Sequence, residues 1–233
     1  AEVEETALGT TITFGLHSPD GDQGYPGNAD ITVSYTLTPD NCLKRDYHMV
    51  SETDTIANFT NHVYFNLGGY KSGSALDQKV WIDADYFTAT DANSIPTGEL
   101  VAVKGTPMDF TEMKPIGRDI QEDYQALKYG NGYDHNWALN HPAGELSLSA
   151  KAEDEKTGRT MEVYTDLPGV QFYTANSLKT ERGKNHAVYT PRCGYCFETQ
   201  YFPDAINQPE FASPVIKAGE EYKTTTIYKF GVK

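Results

Sequence analysis

The stretch Asn58-Phe59-Thr60-Asn61-His62-Val63-Tyr64-Phe65-Asn66-Leu67 places one histidine inside a run of aromatic, β-branched and amide residues. Aromatic and β-branched residues are enriched in strands, so the stretch predicts a β-strand. Successive side chains on a strand point to opposite faces, so His62 and Tyr64 share one face while Val63 and Phe65 take the other. A lone histidine on a strand is more often structural than catalytic. Its role therefore depends on the rest of the chain.

Strand patterns recur on both sides of this stretch. The clearest spans 30–38, where Ile31, Val33, Tyr35 and Leu37 alternate with polar residues. Further strand-like runs lie at 10–16, 47–51, 80–84, 100–104, 136–139, 146–152, 160–165, 170–174, 194–202 and 224–230. Turn residues separate nearly all of them, and the only helical candidate is a weak one at 119–128. The pattern predicts one all-β domain, 1–233, built as an antiparallel sandwich or barrel. The acidic first seven residues are expected to be frayed or to connect to an upstream segment.

Charge and composition exclude several classes of partner. The net charge is −14, and Lys and Arg do not cluster, so a nucleic acid or an anionic membrane is not an expected partner. No apolar run approaches the roughly 20 residues that a bilayer span requires, and the N-terminus lacks signal-peptide features. The three cysteines are Cys42, Cys193 and Cys196, an odd and sparse set that does not suggest a secreted disulfide framework. We therefore expect a soluble, cytoplasmic protein.

The histidine stretch is followed by a set of short motifs in a fixed order. They are Gly132-Tyr133-Asp134-His135-Asn136, Pro168 to Asn176, and Phe197-Glu198-Thr199-Gln200-Tyr201-Phe202-Pro203-Asp204 running on to Asn207-Gln208-Pro209. Shorter matches are Ser18 to Gly21, Gly24 to Asn28, Ile95 to Glu99 and Pro107 to Phe110. Each motif alone is weak, but together and in this order they closely resemble the aldose 1-epimerases, also called galactose mutarotases. The resemblance covers almost the whole chain.

The resemblance implies a fold and a reaction. The fold is the large antiparallel β-sandwich of the galactose mutarotase-like type. The reaction interconverts the α and β anomers of a free hexose, for which a base and an opposed acid suffice, with no metal or organic cofactor. The matched positions make Glu198 the base and His62 the acid. They assign sugar contacts to Tyr64, Asp134 and Gln171, whose oxygen, amide and ring groups suit sugar hydroxyls and faces.

Two residue patterns near the candidate site call for a structural interpretation. His135 directly follows Asp134, so it is expected on the opposite face of an extended segment, in a structural role. Cys193 and Cys196 have the spacing of a redox pair, but a strand-like run follows them where a redox motif would open a helix. The six histidines show no ligand pair at metal-site spacing. The sequence therefore predicts no metal site.

One departure from the family pattern leaves alternatives open. Members carry, upstream of the region matched here, an arginine and a further histidine in a His-Gly-Gly context, and this sequence contains no His-Gly-Gly. Either the chain is a fragment, the matching segment lies elsewhere, or part of the site has been lost. The expected partners are a separate N-terminal segment or a second copy of the chain. Two rival functions also remain: a non-catalytic carbohydrate-binding protein of the same fold, and a glycoside hydrolase that uses Glu198 and Asp134. The preferred hexose cannot be read from the sequence.

Overall fold

A computed structural model describes residues 1–180 and 182–233, where strands dominate the regular structure. The strands are β1 (Glu2–Thr6), β2 (Gly9–Ser18), β3 (Ala29–Leu37), β4 (Cys42–Ser51), β5 (Thr55–Ile56), β6 (Lys79–Ile82), β7 (Tyr86–Thr90), β8 (Pro96–Ala102), β9 (Lys114–Pro115), β10 (Asp134–Ala138), β11 (Ser147–Glu153), β12 (Arg159–Thr165), β13 (Gly169–Tyr173), β14 (Cys196–Gln200), β15 (Val215–Ile216) and β16 (Glu221–Val232). A short helix, α1 (Gln125–Gly130), precedes β10. No helix in these residues has the length and apolar character that a membrane crossing requires.

The strands form two main sheets and a small ribbon. The larger sheet has the order β1-β2-β3-β4-β16-β12-β11-β6-β9, and the smaller has the order β14-β13-β10-β7-β8. The ribbon pairs β15 with β5. Adjacent strands in each sheet run antiparallel. The predicted antiparallel all-β architecture is confirmed.

The main core lies between the two sheets, which makes the fold a sandwich. The larger sheet contributes Val80, Ile82, Ala150, Met161, Val163 and Tyr228, and the smaller contributes Phe87, Trp137, Val170, Phe172 and Phe197. Aromatic rings pack tightly in this layer, with Phe172 and Phe197 stacked at a centroid separation of 5.2 Å. Because side chains alternate along a strand, the residues between these core positions in β10, β13 and β14 face outward. That outer face of the smaller sheet carries the candidate site.

One end of the larger sheet presents apolar side chains to solvent. In the antiparallel register of β2 and β3, Phe14 lies opposite Val33 and Leu16 opposite Ile31, so these four residues share one face. The face continues toward the buried side of β4, where Val33 pairs with Tyr47. Yet Phe14 is 46% exposed and Leu16 is 62% exposed. We call this surface the β2–β3 apolar face.

A buried arginine lies on the same side of the larger sheet. Arg45 in β4 is 3% exposed, and its guanidinium lies 5.2 Å from the ring centre of Tyr35 and 4.9 Å from that of Tyr228. Both rings can stabilise the cation. The Arg45 Nε and Nη1 atoms have no hydrogen-bond partner among the described residues. Buried donors of this kind normally have an acceptor, so the hydrogen-bonding capacity of Arg45 is only partly used.

One expectation from the sequence is wrong, and one of the two alternatives for the N-terminus is excluded. Residues 58–67 do not form a strand: only Phe65 joins a ladder, through an isolated bridge to Tyr195. Asparagine side chains replace the ladder, as Asn58 both accepts from and donates to the Tyr201 backbone. The first seven residues are not frayed, because β1 pairs with β2 along its whole length. The weak helical candidate at 119–128 is realised only as α1.

Candidate active site

Three neighbouring strands of the smaller sheet place a row of polar side chains on its outer face. In the β10–β13 register, Asp134 lies opposite Tyr173 and Asn136 opposite Gln171. In the β13–β14 register, Gln171 lies opposite Glu198 and Tyr173 opposite Cys196. Directly opposed residues share a face of the sheet. The outer face therefore carries Asp134, Asn136, Gln171, Tyr173, Cys196, Glu198 and Gln200.

The segment that holds His62 runs beside β14 and is anchored at several points. Phe65 exchanges backbone hydrogen bonds of 2.8 and 3.0 Å with Tyr195. The Asn66 amide donates to the carbonyl of Cys193 at 2.8 Å, and its oxygen accepts from the Gln78 amide at 2.7 Å. Asn61 accepts a 2.8 Å hydrogen bond from the buried Tyr228 hydroxyl. These contacts hold His62 over the outer face without a continuous strand ladder.

His62 lies between the two residues of β14 that face it. Its Nε2 atom is 3.5 Å from Glu198 Oε1, and its Nδ1 atom is 3.3 Å from Cys196 Sγ. The His62 side chain is 51% exposed, whereas that of Glu198 is 11% exposed. A buried carboxyl thus faces an accessible imidazole across a short gap. Two groups that can transfer protons therefore face each other across 3.5 Å.

The surroundings of Glu198 favour its protonated form. Burial raises the pKa of the Glu198 carboxyl to about 7; His62 acts in the lowering direction and Asp134 in the raising direction. A carboxyl whose pKa lies near neutrality can both take and return a proton at ordinary pH. Such values concentrate at functional sites, although structural networks also produce them. Burial raises the pKa of Asp134 as well, partly offset by its hydrogen bond from Gln171.

Asp134 and Gln171 form a hydrogen-bonded pair next to Glu198. The Gln171 amide Nε2 donates to Asp134 Oδ1 at 2.8 Å. The Gln171 Oε1 atom is buried and has no hydrogen-bond partner among the described residues. A buried acceptor without a donor is costly unless a ligand supplies one. The pair therefore offers carboxylate and amide oxygens to a hydroxylated ligand.

Aromatic rings border this polar row. The Tyr64 ring lies 5.0 Å from the His62 ring and 6.2 Å from that of Tyr173, while His62 and Tyr173 are 5.7 Å apart. Tyr64 is 43% exposed and also lines an adjoining cavity of about 450 Å³ with Tyr70 and Tyr189. Exposed aromatic faces next to polar groups suit the mixed surface of a sugar ring.

The site also contains groups of the types that bind metal ions. The ligand atoms of His62, Cys196 and Glu198 lie within 4.8 Å of one another, and this is the only such cluster within 1–180 and 182–233. A coordinating thiol must lose its proton. Burial raises the pKa of the Cys196 thiol, which opposes that loss. His62 also turns different ring nitrogens toward the thiol and the carboxyl, whereas a metal ion bound by all three residues would take one ring nitrogen.

The structure brings together all five residues singled out from the sequence. His62 and Tyr64 lie on one side of their segment even though it is not a strand, and Asp134, Gln171 and Glu198 share the outer face of the smaller sheet. The opposite orientation predicted for His135 is confirmed, because it is 1% exposed and contacts Phe87 and Trp137 on the core side.

Sequence reasoning did not assign roles to two further residues of the site, Cys196 and Tyr173. The signal that could have found them is their spacing, since each lies two positions from a predicted site residue on a strand.

The fold is thus a β-sandwich. The outer face of its smaller sheet carries an opposed carboxyl and imidazole beside a carboxylate–amide pair. A family sequence model described as aldose 1-epimerase matches residues 2–229. The chain belongs to the aldose 1-epimerase family.

Individual relatives agree with this assignment. The chain is 42% identical over 226 residues to the galactose mutarotase of Homo sapiens, a match that covers 97% of this chain and 64% of the relative. It is 35% identical over 221 residues to the aldose 1-epimerase of Escherichia coli strain K12, covering 94% of this chain and 63% of that protein. The chain thus spans slightly under two thirds of the length of these curated relatives.

A solved structure shares the fold over nearly the whole chain. The crystal structure of galactose 1-epimerase from Lactobacillus acidophilus NCFM superposes with a TM-score of 0.86 at 28% identity. The match covers 99% of this chain and 65% of that one. The predicted sandwich of the galactose mutarotase-like type is confirmed.

Proposed function

We propose that this protein is an aldose 1-epimerase that interconverts the α and β anomers of a free hexose of the glucose or galactose type. The proposal is supported by the chain's membership of the family and by the names of its relatives, galactose mutarotase and aldose 1-epimerase. The single observation that carries the chemistry is the 3.5 Å approach of His62 Nε2 to Glu198 Oε1. We further propose that residues 1–233 act as one domain.

In the proposed mechanism Glu198 is the base and His62 is the acid. The Glu198 carboxylate takes the proton of the C1 hydroxyl, and the C1=O1 double bond forms as the bond from C1 to the ring oxygen breaks. The electron pair goes to the ring oxygen, which receives a proton from Nε2 of the His62 imidazolium. Rotation about the C1–C2 bond and the reverse steps give the other anomer and restore both groups. Because burial raises the pKa of Glu198 to about 7, the base is in its active form above that pH.

Binding of the sugar is proposed to involve Asp134, Gln171 and Tyr64. Asp134 and the free Oε1 of Gln171 accept hydrogen bonds from sugar hydroxyls, and the exposed face of Tyr64 packs against the sugar ring. None of these roles requires a metal or an organic cofactor, so the absence of a cofactor requirement stays a prediction. We further propose that the segment carrying the family's arginine and second histidine covers the β2–β3 apolar face.

The acid–base pair is tested by polarimetry on freshly dissolved α-glucose and α-galactose. In a complete enzyme that is active in polarimetry, Glu198→Gln and His62→Asn are each expected to lower kcat by roughly 10²–10⁴-fold with smaller changes in sugar binding, because a positioned proton-transfer group contributes about that much. Glu99→Gln and His17→Asn are matched controls, since Glu99 lies in β8 and His17 pairs with Asp30 on the surface. Near-normal turnover by Glu198→Gln would eliminate this mechanism.

One alternative is a non-catalytic carbohydrate-binding protein of the same fold, in which the buried and unpaired Gln171 Oε1 beside Asp134 serves sugar binding alone. Under that alternative, calorimetry would detect sugar binding that Asp134→Ala abolishes, while anomer exchange would stay at the uncatalysed rate. Release of reducing sugar from an aryl glycoside would instead identify a hydrolase acting through Glu198 and Asp134.

A further inference from the structure

Cys196 occupies the side of His62 that is turned away from Glu198. Its Sγ atom lies 3.3 Å from His62 Nδ1, while His62 Nε2 faces Glu198. Cys196 is fully buried in β14, opposite Tyr173. The backbone ladder of β14 therefore fixes the sulfur directly against one nitrogen of an otherwise exposed ring.

An imidazole that must release a proton needs a particular kind of partner on its other nitrogen. When an imidazolium gives up the Nε2 proton, the remaining proton stays on Nδ1 and requires an acceptor. A carboxylate at Nδ1 stabilises the imidazolium, which suits a histidine that acts first as a base. Neutral sulfur is a weak acceptor, so it can hold the Nδ1 proton without strongly favouring the charged ring.

We propose that Cys196 is a positioning residue for His62: its neutral sulfur accepts the Nδ1–H of the imidazolium and fixes the ring so that Nε2 alone exchanges a proton with the substrate. This inference rests on the proposed function, which assigns His62 as the acid. The proton leaves Nε2 for the ring oxygen during opening and returns there during closure. Cys196 neither gains nor loses a proton, and no oxidant or co-reactant takes part.

The environment of Cys196 supports a neutral thiol. Burial raises the pKa of the Cys196 thiol, and the carboxyls of Glu198 and Asp134 act in the same direction. The groups that face His62 are Glu198 and Cys196 from β14, Asp134 from β10, Tyr173 from β13 and Tyr64 from its own segment. Among them only the thiol contacts Nδ1 at hydrogen-bonding distance in the described residues.

A direct test uses the imidazole protons themselves. In the chain labelled with ¹⁵N-histidine, at a pH low enough to charge the ring, the His62 Nδ1–H is expected to give a signal protected from solvent exchange. Cys196→Ala should abolish that signal, and Cys196→Ser should retain it because a hydroxyl oxygen also accepts. Cys42→Ala is the matched control, since Cys42 is a buried cysteine on β4 of the other sheet. An unchanged signal in Cys196→Ala would overturn the proposal, whether or not the protein catalyses mutarotation.

The kinetic test separates positioning from packing. In the form of the protein that is active in polarimetry, Cys196→Ala is expected to lower kcat about two- to tenfold, the usual cost of one hydrogen bond, with KM little changed. Cys196→Ser should recover most of that loss. Equal kcat values for Cys196→Ala and the unsubstituted protein would overturn the positioning role. A protected, Cys196-dependent Nδ1–H in a protein with no mutarotase activity would instead overturn the proposed function, and with it the catalytic purpose of the contact.

Discussion

At the residue scale, the proposed chemistry depends on one carboxyl, Glu198, whose burial disfavours its charged form. The pKa of Glu198 rises from 4.5 to about 7, with burial as the largest cause. Between these two pH values the folded protein binds more protons than the unfolded chain. The free energy of unfolding must therefore fall as the pH rises through this window. The ionised form of Glu198 that the proposed mechanism uses is therefore the form that destabilises the fold.

This opposition gives a prediction for Glu198→Gln. The neutral amide avoids the free-energy cost of burying an ionised carboxyl. At pH 8 the free energy of unfolding of the variant should therefore be higher than that of the unsubstituted protein, by up to about 3 kcal/mol. At pH 5 the difference should shrink, because the native carboxyl is then protonated. Urea unfolding at both pH values measures the difference.

Glu99→Gln, on the exposed β8, is the control and should show no such pH dependence. A Glu198→Gln difference that is the same at pH 5 and pH 8 would contradict the pKa assigned to Glu198.

The residue scale also shows what the sequence could and could not provide. The facing of Glu198 and Gln171 follows from period-two alternation and could be predicted once the strands were located. The contact of Cys196 with His62 could not, because it joins positions 134 residues apart through a segment that is not a strand. Strand propensity in 58–67 gave the correct side for His62 and Tyr64 but the wrong secondary structure. Strand propensity describes only the local backbone preference. The position of this segment is instead fixed by the side chains of Asn58 and Asn66, which bond to the backbone of distant residues.

At the scale of elements, the segment 58–67 depends on the Asn66 amide more than on backbone pairing. Asn66 donates to the carbonyls of Gly73 and Cys193, and its oxygen accepts from the Gly68 backbone, the Ser72 hydroxyl and the Gln78 amide. This amide links the loop after His62 to the approach to β14. The segments that carry His62 and Glu198, the proposed acid and base, are therefore connected through one side chain.

Asn66→Ala should consequently affect both stability and catalysis. Loss of these hydrogen bonds leaves partly buried donors and acceptors unpaired, with an expected cost of about 2–3 kcal/mol in the free energy of unfolding. Because His62 moves relative to Glu198, kcat should also fall. Asn93→Ala, in the exposed turn that follows β7, is the control. If Asn66→Ala unfolded at the same urea concentration as the unsubstituted protein, the anchoring role would be wrong.

At the scale of the whole molecule, the β2–β3 apolar face and the unsatisfied Arg45 guanidinium lie on the same side of the larger sheet. An exposed apolar sheet face is a liability in water and marks a surface that other protein covers. The exposed face agrees with the proposal that a further segment completes this part of the fold, whereas the enclosed Arg45 guanidinium lies beyond the reach of such a segment.

We expect the 233-residue chain alone to self-associate and to have low mutarotase activity. Adding a polypeptide that carries the upstream arginine and His-Gly-Gly strands should restore both a monomeric sedimentation profile and the polarimetric rate. Leu16→Thr should reduce self-association by making the face more polar, whereas Leu146→Thr, at an exposed leucine that precedes β11, should not. A monomeric, cooperatively unfolding and fully active chain would show that the added segment is dispensable.

Strands that contribute to both the core and the site also limit which mutations the protein can tolerate. In β10, β13 and β14, residues alternate between the aromatic core and the polar row. One inserted or deleted residue would exchange the two faces. Folding and chemistry would then be lost in a single mutational step. Lineages can alter these strands by substitution, but changes of length must accumulate elsewhere, in exposed turns such as 91–95, where no such exchange occurs.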